Sequence, residues 1–283
     1  MTPDARQLLD EYVEVSSLPM IFVRINEALN RPSSSIMDVS RIISEDPGLT
    51  ARLLRLVNSP LYGFPSHIET VSRALVVIGT QQLRDMALAT SVIKLFSGIP
   101  ADLVTMESFW QHSVACGLAA RILATYRREA NVERLFVGGL LHDVGRLVLY
   151  SRMAKLAREA LVRARQDRKL LTLAEREVIG FDHALVGSLL VRAWRLPASL
   201  EEMVAFHHQP SEARRFPKDA ALIHIANIIA HALEIGTSGE RFVPPLAAEA
   251  WECLGIPISV LARTLDQVER QFDEVLRTIL TDA

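Results

Sequence analysis

The sequence predicts an all-α protein, and three observations support this. Apolar residues recur at steps of three and four through most of the chain, as on the buried face of a helix. Prolines and glycines fall mainly between these stretches, and the alternating β-branched pattern of strands is scarce. With 283 residues, 49% of them hydrophobic, the chain can form one large core or two packed subdomains.

Capping residues define short helices in the first third of the chain. Ser35 and Asp38 have the spacing of a capping box at the start of one helix. Asp46 is the expected N-cap of the next, with Pro47 at its first position. Glycine is common at helix C-termini, and we expect Gly79 to end a later helix.

The helices lengthen after residue 98, which we take as a subdomain boundary. We expect an N-terminal helical subdomain over residues 1–98, packed on a second one over 99–283. The predicted helices include one near 4–16 and others near 105–129, 131–150, 152–167, 171–178, 183–195, 198–208, 217–235, 245–254 and 258–281. The last is amphipathic; it packs on the chain's own core or, alternatively, forms the seam of a homodimer.

Composition excludes several classes of function. The formal net charge is −2 with interspersed signs, so we expect no nucleic-acid partner. No apolar run reaches membrane-spanning length, and the N-terminus lacks a secretion signal, so we expect no membrane partner and a cytoplasmic location. Cys116 and Cys253 are far apart in the sequence, and we expect both to be buried thiols in a reducing compartment.

Histidines concentrate in the second half, which suggests a metal site between facing helices. Imidazole and carboxylate ligands together suit iron, manganese or zinc. Adjacent helical positions diverge by about 100°, so His142 can face one ion while Asp143 reaches a second or bridges both. A lone histidine on an apolar helix is more often a hydrogen-bonded core residue. Seven histidines follow residue 110: His112, His142, His183, His207, His208, His224 and His231.

Several motifs together resemble the HDOD domain, an HD-related output domain of bacterial signalling proteins, over about residues 15–235. The resemblance extends to the HD superfamily of metal-dependent phosphohydrolases and its HD-GYP branch. The motifs are "EDPGLTARLLRLVNSPLYG" (45–63), "VSRALVVIGTQQLRDMALA" (71–89), "WQHS" (110–113), "GLLHDVGRL" (139–147), "GFDHALVGSLLVRAWRLP" (180–197) and "FHHQP" (206–210).

The resemblance implies an HD-like helical fold for the second subdomain and a set of metal ligands. By position, these are His112, His142, Asp143, His183, His207, His208 and Asn227. The family pattern ends in an aspartate where this chain has Asn227. An asparagine can ligate through its carbonyl oxygen but brings no negative charge, so we expect it to weaken one metal position.

Two further departures from the family pattern concern substrate binding. Arg146 stands where many HD enzymes have a lysine, so it is a candidate phosphate-binding residue. The Gly-Tyr-Pro motif that follows the histidine pair in HD-GYP enzymes is replaced by "QPSEARRFP", which argues against cyclic di-GMP hydrolysis. His224 and His231 share one face of the helix that carries Asn227. We expect His231 to pack against other side chains or to meet solvent. For His224 two alternatives remain, a place in the metal site or a place outside it.

Two functions follow from these features. The first is a regulatory output module of bacterial signal transduction, which acts through protein–protein interaction and keeps a degenerate HD metal site without catalytic residues. The alternative is a metal-dependent phosphohydrolase or phosphodiesterase that acts on a nucleotide or cyclic dinucleotide. The asparagine favours the first, and the six retained ligand-type residues favour the second.

Overall fold

The computed structural model describes Ala5 and residues 18–59, 61–96 and 99–280. Within these ranges every regular element is a helix and no β-strand occurs, which confirms the all-α prediction. The helix predicted near 4–16 lies outside the described residues. The α-helices are α1 Met20–Asn30, α2 Ile36–Ser44, α3 Pro47–Val57, α4 Val71–Ile78, α5 Thr80–Val92, α6 Met106–Tyr126, α7 Val132–Leu141, α8 Val144–Arg152, α9 Ala154–Gln166, α10 Leu171–Val178, α11 His183–Ala193, α12 Ala198–Phe206, α13 Pro217–Ala232, α14 Ala248–Leu254 and α15 Ser259–Leu280.

One compact unit comprises residues 18–95 and the end of α15 from residue 269. Its capping residues act as predicted. The Ser35 hydroxyl accepts from the Asp38 amide, and the Asp38 carboxylate accepts from the Ser35 amide, which completes the capping box. Asp46 caps α3, where Pro47 is the first residue, and Gly79 follows α4 with a φ of 102°. Ser35 and Asp46 thus begin their helices and Gly79 ends α4, which allows tight connections between short helices.

The second compact unit comprises residues 96–268, whereas the sequence prediction placed all of 99–283 in one subdomain. Helices α6 and α7 approach very closely in this unit. A Cβ on Gly139 would lie 2.5 Å from the Cα of Gly117, so only glycine fits at this crossing. A similar contact joins α8 to α11, where a Cβ on Gly145 would lie 2.0 Å from the carbonyl oxygen of His183. These glycines bring the histidine-bearing helices together.

The chain departs from the predicted helix 131–150 at His142–Asp143, where α7 ends and α8 begins. The physical reason is a local hydrogen bond. Nδ1 of His142 lies 2.6 Å from the carbonyl oxygen of Gly139, and such a side-chain bond competes with the helical ladder. The prediction of one continuous helix is therefore wrong, and the break directs the two side chains into the interior.

Part of the apolar stripe of α15 is buried, as expected for packing on the chain's own core, while Leu261, Leu265 and Phe272 are partly exposed. Val268, Val275 and Ile279 are each at most 2% exposed, while Ile258 before the helix is exposed. The homodimer seam stays a prediction. Over the described part of the chain, none of the helices combines the length and apolar character that crossing a bilayer requires.

Candidate metal centre

The second unit gathers six of the predicted donor residues and Asn227 from five places in the chain. His112 lies on α6, His142 and Asp143 join α7 to α8, and His183 begins α11. His207 and His208 follow α12, and Asn227 lies on α13. His208 is partly exposed and the others are buried, so the centre has one side that solvent reaches.

Asp143 lies at the middle of this group and faces both halves of it. Its Oδ2 atom lies 3.3 Å from Nε2 of His142 and 3.8 Å from Nε2 of His112. Its Oδ1 atom lies 3.0 Å from Nε2 of His183 and 3.6 Å from Nε2 of His207. Each carboxylate oxygen of Asp143 thus faces a different pair of histidines. This arrangement is expected of a residue that bridges two ion positions.

The first donor set, cluster A, consists of Asp143, His183, His207 and His208, whose ligand atoms all lie within 4.8 Å of one another. Nε2 of His183 lies 3.3 Å from Nε2 of His207 and 3.0 Å from Nε2 of His208. Three imidazole nitrogens and one carboxylate oxygen meet here. Four such ligands can complete a tetrahedral site for zinc or part of a larger shell for iron or manganese.

The second donor set, cluster B, consists of His112, His142 and Asp143, also within 4.8 Å of one another. Asn227 lies beside it, with Oδ1 3.1 Å from Nε2 of His112. That contact is a hydrogen bond in which the imidazole N–H donates to the amide oxygen. The nitrogen that would bind an ion is therefore engaged by the asparagine, and cluster B is the weaker of the two.

Hydrogen bonds behind the rings aim two of these nitrogens into the centre. Nδ1 of His207 donates to the carbonyl of Val204 at 2.8 Å, and Nδ1 of His142 donates to that of Gly139. In a neutral imidazole the other nitrogen then carries a lone pair. Nε2 of His142 is buried and has no hydrogen-bond partner among the described residues. Burial lowers the pKa of His142, but Asp143 and Cys116 outweigh it and raise this pKa well above 6.5. Nε2 of His142 is thus a buried ligand atom that carries a proton, and a bound divalent ion, which would replace that proton, fits the residues present.

The charges of the centre also suit a cation. Burial alone would raise the pKa of Asp143, but Arg146 and the neighbouring histidines outweigh it and hold the pKa well below its ordinary value. Burial holds the pKa of His207 and His208 well below 6.5, so both rings are neutral. For His183, burial is outweighed by Glu175 and Asp143, and its pKa is raised to about 9. An ion in cluster A would replace that proton.

Glu175 on α10 orients His183, although it is not among the donor residues predicted from the sequence. Its Oε2 atom accepts from Nδ1 of His183 at 2.5 Å and from the His183 backbone amide at 3.0 Å. A carboxylate behind a ligating histidine fixes the ring and raises its basicity. A signal was present, because Leu171, Ala174 and Glu175 share the buried face of α10.

Ser238 is a second missed residue and lies in the connection between α13 and α14. Its hydroxyl donates to Oδ2 of Asp143 and accepts from the Arg146 guanidinium, so it bridges the two. Arg146 also contacts Asp143 at 3.2 Å and Glu175 at 3.4 Å. Phosphate binding by Arg146 stays a prediction. The burial of this side chain between two carboxylates argues against it.

The two remaining histidines of α13 lie outside the donor clusters. Nδ1 of His224 donates to the carbonyl of His207 at 2.8 Å, and its Nε2 accepts from the Ala247 amide at 3.0 Å. Both its nitrogens are used, so His224 supports the backbone of the histidine pair. The ring of His231 packs against that of His112, with centroids 4.4 Å apart.

Known protein families and solved structures include matches to this chain. The family model of the HDOD domain matches residues 15–210. A protein from Treponema pallidum (strain Nichols), described as uncharacterized, is 22% identical over 278 residues. The alignment covers 97% of this chain and 51% of that protein, so the chain spans about half the length of this relative.

Three solved structures share the fold. An HDOD domain protein from Geobacter sulfurreducens has a TM-score of 0.78 at 22% identity, with 98% of each chain covered. A protein from Shewanella amazonensis SB2B, described as a candidate phosphohydrolase, has a TM-score of 0.76 at 26% identity, with 96% of this chain and 97% of that chain covered. A candidate signal transduction protein from Marinobacter aquaeolei VT8 has a TM-score of 0.72 at 19% identity, with 96% of this chain and 60% of that chain covered.

Proposed function

This chain belongs to the HDOD family, and from that premise we propose that it is a metal-binding regulatory module of bacterial signal transduction. In this proposal it acts by contacting a partner protein and does not hydrolyse phosphoesters efficiently. The metal holds the helices of the 96–268 unit in one arrangement, which the partner then recognises. Membership of a family of signalling output domains supports the regulatory role.

One observation carries the proposal, and it is the contact between Asn227 and His112. Cluster A has a complete donor set, so the centre can retain an ion. In cluster B the family aspartate is replaced by an amide whose oxygen accepts from Nε2 of His112 at 3.1 Å. A centre with one strong and one weak position keeps a structural or sensing ion but lacks the paired ions that two-metal phosphoester hydrolysis uses.

The second candidate function is metal-dependent phosphohydrolysis, which cluster A itself favours. A single divalent ion, when bound, supplies a Lewis acid that polarises a phosphoryl oxygen. The residues of the chain would then have to bind the phosphoester, exclude water and deliver protons. Arg146 is tied to Asp143 and Glu175, and the described residues around cluster A present no other buried cation for the phosphate.

Metal content tests the proposal. The protein is purified without chelator or affinity tag and analysed for iron, manganese and zinc, beside Asp143→Ala and Asp102→Ala. Asp102 forms an exposed ion pair with Arg158 in the same unit and is a matched control. We expect wild type and Asp102→Ala to hold at least about one ion per chain, and Asp143→Ala to lose it. A metal-free wild type that also fails to bind the added ions contradicts the proposal.

A further inference from the structure

The connection between α13 and α14 is tied to the metal centre at both ends. Near its start, the buried hydroxyl of Ser238 donates to Oδ2 of Asp143. At its end, the Ala247 amide donates to Nε2 of His224 at 3.0 Å. His224 donates from Nδ1 to the carbonyl oxygen of His207 at 2.8 Å. One end therefore reaches the carboxylate that both clusters share, and the other end reaches the backbone of a cluster A residue.

Residues 237–247, which we call the coupling segment, hold their path through hydrogen bonds rather than through a helix. Glu240 is buried, and its Oε1 atom accepts from the amides of Arg241 at 2.8 Å and Phe242 at 3.0 Å. Its Oε2 atom accepts from the amide of Leu171, the first residue of α10, at 2.6 Å. One carboxylate thus fixes a turn of the segment and joins it to α10.

The first residues of the coupling segment pack against two helices of the centre. The Thr237 amide donates to the carbonyl oxygen of Ser108 on α6 at 3.1 Å and to its hydroxyl at 2.9 Å. The Tyr150 hydroxyl on α8 donates to the carbonyl oxygen of Ser238 at 2.7 Å. A Cβ on Gly239 would lie 2.3 Å from the same hydroxyl oxygen, so only glycine fits beside it. Movement of this stretch therefore breaks several hydrogen bonds at once.

The outer part of the coupling segment is an exposed apolar stretch. Val243 and Leu246 are 52% and 51% exposed, whereas Ser238 is fully buried. Pro245 is also exposed. The segment therefore runs from the interior of the unit to its surface, and a contact at the surface end acts on the same backbone that positions Ser238.

The hydrogen bond from Ser238 fixes the orientation of Asp143. The last torsion of an aspartate side chain has a broad energy profile, so hydrogen bonds decide where its two oxygens point. With Oδ2 held by Ser238 and by Arg146, Oδ1 faces Nε2 of His183 at 3.0 Å. Residues that hold a ligand from behind in this way change metal affinity by about 10–100-fold without touching the ion.

We propose that the coupling segment links metal occupancy to the surface of the unit, with Ser238 as the positioning residue that joins the two. Order in the segment holds Asp143 in its bridging orientation, and a metal bound there keeps the segment ordered. The coupling is reciprocal by thermodynamic linkage, so a partner contact at Val243 or Leu246 changes metal affinity as well. The inference rests on the proposed function, since it names how the same centre is regulated.

Hydrogen–deuterium exchange of the full chain, with and without manganese, tests the coupling. Peptides that cover residues 237–247 report on the segment, including the hydrogen-bonded amides of Thr237 and Ala247. Manganese affinity is measured in parallel by competition with a metal-binding dye, and the melting temperature shows that each variant is folded. The two readouts separate ordering of the segment from metal binding itself.

Two variants and one control are compared with wild type. Ser238→Ala removes the hydroxyl that joins the segment to Asp143. Tyr150→Phe keeps that hydroxyl but removes the bond to the Ser238 carbonyl, and it gives the same comparison if Ser238→Ala does not fold. Ser188→Ala is the matched control, because Ser188 is also buried and its hydroxyl donates to the Leu185 carbonyl within α11.

We expect manganese to slow exchange over residues 237–247 about fivefold or more in wild type and in Ser188→Ala, as for an ordinary coupling between two sites. In Ser238→Ala this protection should disappear, and manganese affinity should fall about tenfold. Tyr150→Phe should speed exchange of the segment in the metal-free protein and weaken manganese binding by a smaller factor.

Metal-loaded wild type whose segment exchanges as fast as in the metal-free protein overturns this inference and leaves the proposed function intact. Ser238→Ala with wild-type manganese affinity and wild-type protection overturns it in the same way. Lower melting temperatures without any change in manganese affinity, in both Ser238→Ala and Tyr150→Phe, show a merely structural role and contradict the coupling. Wild type that binds no metal overturns the proposed function and this inference together.

Discussion

Oδ1 of Asn227 lies 3.1 Å from Nε2 of His112, in the position where the HD pattern has an aspartate. The hydrogen bond engages the nitrogen that an ion in cluster B would need. An aspartate in that place would instead add a negative ligand. A single substitution therefore separates a centre with one strong ion position from a centre with two.

Asn227→Asp should raise the metal content by about one ion per chain when manganese is in excess, because a carboxylate ligand replaces a neutral amide. The measurement is elemental analysis after gel filtration. Asn131→Asp adds the same charge at the N-cap of α7, where the side chain accepts from the Arg134 amide, and should leave the metal content unchanged. Equal metal content in wild type and Asn227→Asp would count against the role given to the amide.

Asp143→Ala should lower the free energy of unfolding of the metal-free protein by about 2–4 kcal/mol, as for removal of one partner from a buried polar network. The substitution leaves Arg146 and His183 buried without their shared carboxylate. The change is measured by urea unfolding of protein from which a chelator has removed the metal, with circular dichroism as the probe. Asp102→Ala removes an exposed ion pair and should cost less than about 1 kcal/mol. Equal stability of the two variants would show that the Asp143 network contributes little.

Glu175→Gln should weaken metal binding about tenfold, within the range for loss of a group that orients a ligating histidine. The glutamine can still accept from Nδ1 of His183 but carries no charge. Competition with a metal-binding dye gives the dissociation constant. Glu177→Gln, at an exposed position two residues along the chain, is the control and should match wild type. An unchanged affinity in Glu175→Gln would refute the orienting role.

Gly145→Ala should destabilise the 96–268 unit by about 1–3 kcal/mol or more, the cost of overpacking a tight contact. The new Cβ would lie 2.0 Å from the carbonyl oxygen of His183 and 2.6 Å from the Gly187 amide nitrogen, so α8 and α11 must separate. Gly255→Asn is the control, because nothing lies within 4 Å there and asparagine tolerates its φ of 60°. A melting temperature of Gly145→Ala equal to that of the control would contradict the close approach.

The sequence was sufficient to predict the helical class and several helix ends. Ser35, Asp46 and Gly79 act through their own side chain or backbone on residues a few positions away, and such local signals survive without tertiary context. The break at His142–Asp143 could not be predicted, because "GGLLHDVGRLVLY" has continuous helical periodicity and the break depends on where the His142 ring lies.

The candidate site was predicted in part. The donor residues follow from the motif resemblance, and the structure brings all of them together, with every member except His208 buried. Glu175 carried a periodic signal, although its partner His183 is eight residues away on another helix. Ser238 had no such signal, since it lies in a connection whose path to Asp143 depends on the packing of the whole unit.

We propose that this centre holds a metal without efficient phosphoester turnover. Its most direct test measures phosphate release from nucleoside mono- and triphosphates and cleavage of cyclic di-GMP and a generic phosphodiester, with iron or manganese in excess. Wild type should give no more product than Asp143→Ala. Wild-type turnover that disappears in Asp143→Ala would contradict it and establish the chain as a phosphohydrolase.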